Sequence, residues 1–309
     1  MATTTMTTNT KPKTLIVVAG PTGSGKSALA VRLAAHYNAP VISTDSRQVF
    51  RGLAIGTAQP TPEELATATH YFIADREVED EFNAGRYEAE ALALLERLFA
   101  ENDYVIAVGG SGLYIQALCE GMDNLPEANK EVRDMLQCRL REEGLETLVA
   151  ELRQRDPNYA AQVDINNPSR VMRALEVCIV SGHPYSEQRS GQRAKRNFNI
   201  IKIATEMPRD ILYDRINRRV DAMVTEGLVE EARAVYHKRH LNALQTVGYR
   251  EMFDYFDGTT TLNEAIELIK RNSRHYAKRQ MTWFRRDSEF TWFSPSDIPT
   301  IIAHIDAHS

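Results

Sequence analysis

Cysteine is scarce in this chain, and so are other features that would narrow its class at once. Cys119, Cys138 and Cys178 are the three cysteines among 309 residues. Their odd number and lack of metal-ligand spacing argue against a disulfide scaffold and a zinc module, and fit buried thiols in a reducing compartment. No apolar run approaches the ~18 residues that a membrane span needs. The first ten residues, MATTTMTTNT, carry neither an apolar stretch nor an arginine pattern. They read as a frayed tail rather than a targeting signal. Internal repeats and long low-complexity tracts are missing as well. A cytoplasmic protein with no membrane association is expected.

What is present is a soluble-protein composition, 43% hydrophobic, with a net charge of −5 that is unevenly spread. Eleven acids against three arginines lie between Glu63 and Glu101, whereas Lys270–Arg286 holds seven Lys or Arg and no acid. Such asymmetry suits a polyanion on one face, or a solvated helix. The length suffices for one large α/β domain and a smaller one.

Leu15–Ala19 is an apolar run followed by Gly20-Pro21-Thr22-Gly23-Ser24-Gly25-Lys26-Ser27 and then a helical pattern to about Tyr37. This is a phosphate loop in its proper setting of strand, glycine turn and helix. Its glycines let backbone N–H groups converge on phosphate oxygens, and the helix N-terminus adds partial positive charge. Lys26 supplies a full charge, and the Ser27 hydroxyl is a candidate Mg²⁺ ligand. The motif predicts linked phosphates without saying whose they are.

Further strands are predicted at Val41–Ser43 and Tyr104–Val108, with a helix from Phe82 to about Ala100 between them. Strand–helix alternation predicts an α/β fold: a P-loop NTPase-like parallel sheet flanked by helices. Ligands of such sheets sit beyond the carboxyl ends of strands, where Asp45 and the Gly109-Gly110-Ser111-Gly112 turn fall. From Gly121 the strands vanish, and helices are predicted at Glu131–Glu143, Leu145–Arg155 and Ser169–Val180. Ile200–Ala204 resumes as a strand, Arg209–Glu226 and Leu262–Arg286 as helices, and Phe290–Phe293 as an edge strand. The expected organisation is a catalytic core over 13–120 and 198–296, an all-helical insertion domain over 121–197, and tails at 1–12 and 297–309.

Asp45 is placed to act as general base or metal partner, although an Asp there can equally cap a turn. Arg170 and Arg173 share a face at the positive end of a helix, which suggests a polyanion rather than helix stabilisation. Arg215, Arg218 and Arg219 lie on the helix after the returning strand, and one of them could reach a diphosphate or pair with nearby aspartates. Gln245–Glu251 and Arg274–Arg286 interleave cations and aromatics, a pattern suited to phosphates and splayed bases. Trp283 and Phe284 fit core anchors of an amphipathic helix equally well.

Taken in order, GPTGSGKS, DSRQVFRGLAIGTAQP, VGGSGLY, NNPSRVMRALEV, LYDRINRRVDAMVTEGLVEE, TVGYRE and YAKRQMTWFRR resemble the tRNA dimethylallyltransferase (tRNA isopentenyltransferase) family from about Leu15 to Phe293. The resemblance implies transfer of a dimethylallyl group from dimethylallyl diphosphate to N6 of the adenosine just 3′ of the anticodon in tRNAs reading UNN codons. It implies that Gly20–Ser27, with Arg215 and Arg218, bind the diphosphate and that Mg²⁺ sits at Ser27. Lys26, Asp45 and Ser111 would be catalytic. Asp45, Ser46, Arg47, Gln48, Ser111, Ser169, Arg170, Val171, Met172, Arg173, Gln245, Gly248, Tyr249, Arg250, Lys278, Arg279, Gln280 and Trp283 would contact the tRNA anticodon stem-loop. Ser111 stands where the family usually has Thr, Gly23 where it has Ala, and Ser169 where many relatives have Gln. No Cys/His pattern follows Phe293, which resembles the bacterial form, and a monomer is expected. An adenylate isopentenyltransferase acting on free AMP, ADP or ATP, a P-loop small-molecule kinase, and a non-catalytic RNA-binding module are the alternatives.

Overall fold

The computed structural model describes residues 12–123, 125–189 and 191–309. The expected N-terminal tail lies outside the described residues except for Pro12. Two compact units are present. Residues up to Glu120 together with Lys195–Ser309 make the first, and Gly121–Ala194 the second.

The first unit is built on a six-stranded sheet. Its chain runs β1 (Thr14–Ala19), α1 (Lys26–Tyr37), β2 (Val41–Ser43), α2 (Pro62–Thr67), β3 (His70–Tyr71), α3 (Ala84–Glu101), β4 (Tyr104–Gly109) and α4 (Gly112–Glu120). Every strand pairing is parallel, and with β5 (Asn199–Thr205) and β6 (Thr291–Phe293) the order in space is β3-β2-β4-β1-β5-β6. β1 lies in the interior, pairing with β4 from Thr14↔Tyr104 and with β5 from Thr14↔Asn199.

All six residues of β1 are buried, as a strand covered on both faces must be. Side chains alternate across it. Leu15, Val17 and Ala19 enter one core with α3, α4 and α10, while Ile16 and Val18 enter another with Leu29, Ala30 and Leu33 of α1.

The second unit holds α5 (Lys130–Glu142), α6 (Leu145–Arg155), α7 (Pro157–Ala160) and α8 (Pro168–Ser181). It has a core of its own, in which Leu136, Leu148, Leu152, Val171 and Leu175 are fully enclosed.

The chain re-enters the sheet at β5 (Asn199–Thr205) and continues through α9 (Arg209–Thr225), α10 (Leu228–Val235), α11 (Tyr249–Phe256), α12 (Leu262–Phe284), β6 (Thr291–Phe293) and α13 (Ile298–His308). Thr261 and Glu264 form a reciprocal capping box that starts α12, satisfying two of its orphan N–H groups. β6 takes the expected edge position beside β5.

Residues 297–309 are not a tail. Asp297 caps α13, and Ile301 and Ile305 are buried beside Ile16, Val18 and Ile203. An Ile305→Ala variant is expected to lose about 2–5 kcal/mol of stability, the usual cost of emptying a buried isoleucine site. Urea denaturation reads this directly, and an unchanged midpoint would return the segment to a dispensable tail. No described helix is long and apolar enough to cross a membrane.

Candidate active site

A cavity of about 380 Å³ opens at the carboxyl ends of β1, β2 and β4. Its lining includes Thr22, Lys26 and Ser27 from the phosphate loop, Asp45–Gln48 after β2, Arg219 of α9, and Tyr276, Arg279 and Gln280 of α12. Of the other predicted positions Gln245, Gly248 and Arg250 also line it, as does Gly109, whereas Ser111 does not.

The phosphate loop is held from behind. Ser24 is fully buried, its hydroxyl 2.6 Å from that of Thr205 at the end of β5, so it fixes the loop and is not presented to a ligand. Gly23 and Gly25 adopt φ of 81° and 89°, in the left-handed region where a Cβ is disfavoured. Gly25 thereby starts α1 with no side-chain cap, leaving the helix N-terminus open toward the cavity.

Lys26 donates to the Pro21 carbonyl at 3.3 Å. Burial, together with the neighbouring Arg219 cation, lowers its pKa to about 8, with Asp45 pulling the other way. Burial lowers the pKa of Arg219 also. Two cations held together without a matching number of acids are a charge deficit that an anion would fill.

Arg219 is the arginine that the structure brings to this site. Its Nη1 donates to the Thr22 hydroxyl at 3.1 Å. Arg218, expected to reach a diphosphate, is exposed and paired with Asp214, one turn back. Arg215 is exposed beside Gly25 and does not line the cavity.

Asp45 lines the same cavity and also serves its own turn. Oδ1 accepts the Arg47 amide at 2.9 Å and the Gln48 amide at 3.3 Å, closing the turn after β2. Oδ2 accepts no hydrogen bond among the described residues and remains for the cavity. The Ser46 amide donates to the Ser111 hydroxyl at 3.0 Å, joining the second glycine loop to this turn. Gln48 is oriented by the Thr57 and Ala58 carbonyls, to which its Nε2 donates, and its Oε1 accepts from Ser43. Arg47 donates to the Asn242 carbonyl at 2.8 Å. Tyr276, absent from the predicted set, lines the cavity near Asp45 and Ser111, and burial pushes its pKa up to about 12. Its signal was present in sequence, since it lies one helical turn before Gln280.

Several predicted acceptor contacts are placed otherwise. Tyr249 is fully enclosed, its hydroxyl donating to Glu231 at 2.6 Å, and Glu231 also accepts the Ile55 and Gly56 amides at 2.8 Å. It supports a wall rather than facing the cavity. Gln280 is buried between two loops. Trp283 is half-exposed but lies flat against Gly112, where a Cβ would come within 2.3 Å of its ring, and Phe284 is core. Lys278 and Arg279 are exposed on α12, with Arg279 over the Tyr276 ring.

Within the second unit, Ser169 and Arg170 are exposed and Met172 is partly buried. Val171 is buried in that unit's core, contrary to expectation. Arg173 is committed to Glu176 and the Pro126 carbonyl, each at 3.0 Å, so it does not stand free for a polyanion.

A hard divalent cation fits the donor set at the loop. Ser27 offers an exposed hydroxyl oxygen and Asp45 a carboxylate oxygen, both on this cavity. The acidic trio of Glu120, Asp287 and Glu289 is different, because the Lys202 ammonium already occupies its centre.

Comparison with known proteins identifies a family. Residues 48–287 match the IPP transferase family. The chain is 50% identical over 294 residues to tRNA dimethylallyltransferase 1 of Phocaeicola vulgatus, covering 95% of this chain and 98% of that one. A full-length tRNA isopentenylpyrophosphate transferase from Bacillus halodurans superposes with a TM-score of 0.71 at 38% identity, covering 96% of each chain. A eukaryotic dimethylallyltransferase acting on tRNA superposes at 0.78 and 25% identity, over 96% of this chain and 76% of that one.

Proposed function

The chain belongs to the IPP transferase family and is a transferase that carries out tRNA dimethylallyl transfer; on that premise we propose the donor, the acceptor atom and the residues that act on each. The donor is dimethylallyl diphosphate, and the acceptor is N6 of the adenosine 3′-adjacent to the anticodon in tRNAs reading UNN codons. The observation that carries this reading is the make-up of the cavity. Lys26 and Arg219 bring positive charge to it, and Asp45, within electrostatic reach of both, brings a carboxylate.

The diphosphate binds to the phosphate-loop amides, Lys26 and Arg219. The adenosine leaves its stack to enter the cavity, since N6 cannot be reached inside the loop. The N6 lone pair forms a bond to the allylic carbon as the bond from that carbon to the bridging oxygen breaks. Diphosphate departs with the electron pair, and the N6 proton passes to Asp45 Oδ2. Lys26, Arg219 and the loop amides meet the charge that builds on the leaving group. Ser27 would hold a Mg²⁺ ion, which supplies further neutralisation of that charge. Arg250, Lys278 and Arg279 present positive charge to the RNA backbone, and Arg170 does so from the insertion.

Incubation with labelled dimethylallyl diphosphate and tRNA, AMP or no acceptor tests the reading. Label is expected on tRNA alone. Label on AMP alone, or ATP hydrolysis without prenyl transfer, would refute it.

The lowered pKa of Lys26 gives a pH signature. In the free protein Lys26 loses its proton above about pH 8. A bound diphosphate favours the ammonium and raises the pKa again. Binding between about pH 8 and 10 therefore takes up a proton, and donor affinity falls as pH rises through this window. Calorimetry of inorganic pyrophosphate binding at pH 8.5, in buffers of different ionisation enthalpy, is expected to show this uptake. Buffer-independent heats would remove Lys26 from the diphosphate site.

A further inference from the structure

Gln280 is the residue whose placement departs most from a surface contact. It is 6% exposed, and its side-chain amide spans two loops. Oε1 accepts the Thr22 amide at 2.9 Å, and Nε2 donates to the Gly110 carbonyl at 2.8 Å. Both partners are backbone groups, one a donor only and the other an acceptor only. The amide therefore has a single workable orientation, and no other common side chain of this size offers both ends.

The fit is closed on the Gly110 side, where a Cβ would lie 2.2 Å from Nε2. It is braced on the Thr22 side, where the same residue's hydroxyl accepts from Arg219. Thr22 belongs to the loop that carries Lys26 and Ser27. Gly110 precedes Ser111, whose hydroxyl receives the Ser46 amide next to Asp45. Gln280 thus ties the diphosphate wall to the wall that bears the general base.

It does so from α12, which also places Tyr276 and Arg279 on the cavity. An in-line displacement is sensitive to the separation of these walls, because a misplacement of about 1 Å can cost ~10²-fold in rate.

We propose that Gln280 is a positioning residue for the transfer reaction, holding the phosphate loop and the Gly109–Gly112 loop at the separation that lines up N6, the allylic carbon and the bridging oxygen. This rests on the dimethylallyl-transfer reading above. It also makes α12 the element through which RNA docked on Lys278 and Arg279 is set in register with the donor.

Two variants test it. Gln280→Met keeps the volume and removes both hydrogen bonds. Gln280→Glu keeps an acceptor for Thr22 but sets an oxygen against the Gly110 carbonyl. Steady-state kcat and KM for both substrates, single-turnover rates, and dissociation constants for dimethylallyl diphosphate and for tRNA are measured alongside wild type, with thermal melts confirming the folded fraction. Both variants are expected to lose about 10- to 100-fold in kcat and single-turnover rate. Dissociation constants should stay within about threefold of wild type. Near-wild-type kcat in Gln280→Met would overturn the proposal. So would a loss confined to tRNA affinity, which would make Gln280 an RNA contact. Should wild type itself fail to transfer the dimethylallyl group, the functional reading falls, and that outcome is distinguishable from one in which only the variants keep full rate.

Discussion

Asp45→Asn is expected to lower kcat for dimethylallyl transfer by about 10²–10⁴-fold, the usual contribution of a positioned general base, while leaving the donor dissociation constant nearly unchanged. The substitution isolates one oxygen. Asparagine keeps a carbonyl oxygen in place of Oδ1, so the turn closed on the Arg47 and Gln48 amides survives. What disappears is the second carboxylate oxygen, Oδ2, the atom proposed to receive the N6 proton. The replacement amide can only donate there, and adenine N6 needs an acceptor. Substitution at Lys26 should behave in the opposite way, raising the donor dissociation constant as well as slowing the reaction. Single-turnover assays with saturating tRNA separate the two cases. An Asp45→Asn variant within about threefold of wild type would leave the aspartate with its turn-closing role alone.

Lys202→Met is expected to destabilise the sheet unit strongly. The ammonium is 4% exposed on β5 and donates to Glu120 at 2.9 Å, Asp287 at 2.8 Å and Glu289 at 2.7 Å. These acids come from the end of α4 and from the segment between α12 and β6. One cation therefore fastens the end of α4 and the segment after α12 to the sheet.

Burial alone would depress the pKa of Lys202, but the three carboxylates outweigh burial and hold it above the ordinary lysine range. Its charge therefore persists across all working pH. Removing it leaves Glu120, Asp287 and Glu289 close together without the cation at their centre, and breaking such a cluster typically costs about 3–5 kcal/mol. The exposure of Glu289 favours the lower end. Urea midpoints of the variant and wild type check this, and an unchanged midpoint would mean that the cluster adds nothing to stability.

The parts of this site readable in sequence share a property: their geometry is set locally. The phosphate loop is fixed by glycines within eight residues, and Asp45 by its place at a strand end. The other parts depend on packing between distant segments. Leu212, Ile216 and Val220 are the buried stripe of α9, and Arg219 stands three residues after Ile216, next to that stripe. Arg218 is only two residues from Ile216, which puts it on the far side of the helix, where Asp214 takes it. The choice among three arginines was thus present in the period of the stripe.

Tyr249 is different. Its ring is buried because Gly56, almost two hundred residues earlier, leaves space that a Cβ would fill at 2.6 Å, and nothing near Tyr249 announces that. Gln280 likewise looked like one more polar residue in a basic, aromatic run, because its two backbone partners are remote in sequence. For α13, Ile298, Ile301, Ile302 and Ile305 do carry a helical period behind Pro299. That helix was legible, and reading its segment as a tail passed over the signal.

The position of β1 between β4 and β5 has a consequence for how the protein is made. The phosphate loop is synthesised long before β5, so the strand that precedes it lacks one neighbour until residues 199–205 have been made. Gly121–Ala194 is contiguous and carries its own core, so it has all its partners earlier. Pairings between segments so far apart in sequence are the slow ones. The nascent chain must therefore carry an unfinished sheet, with its glycine loop and apolar first strand, through the whole synthesis of the insertion before the catalytic unit can close.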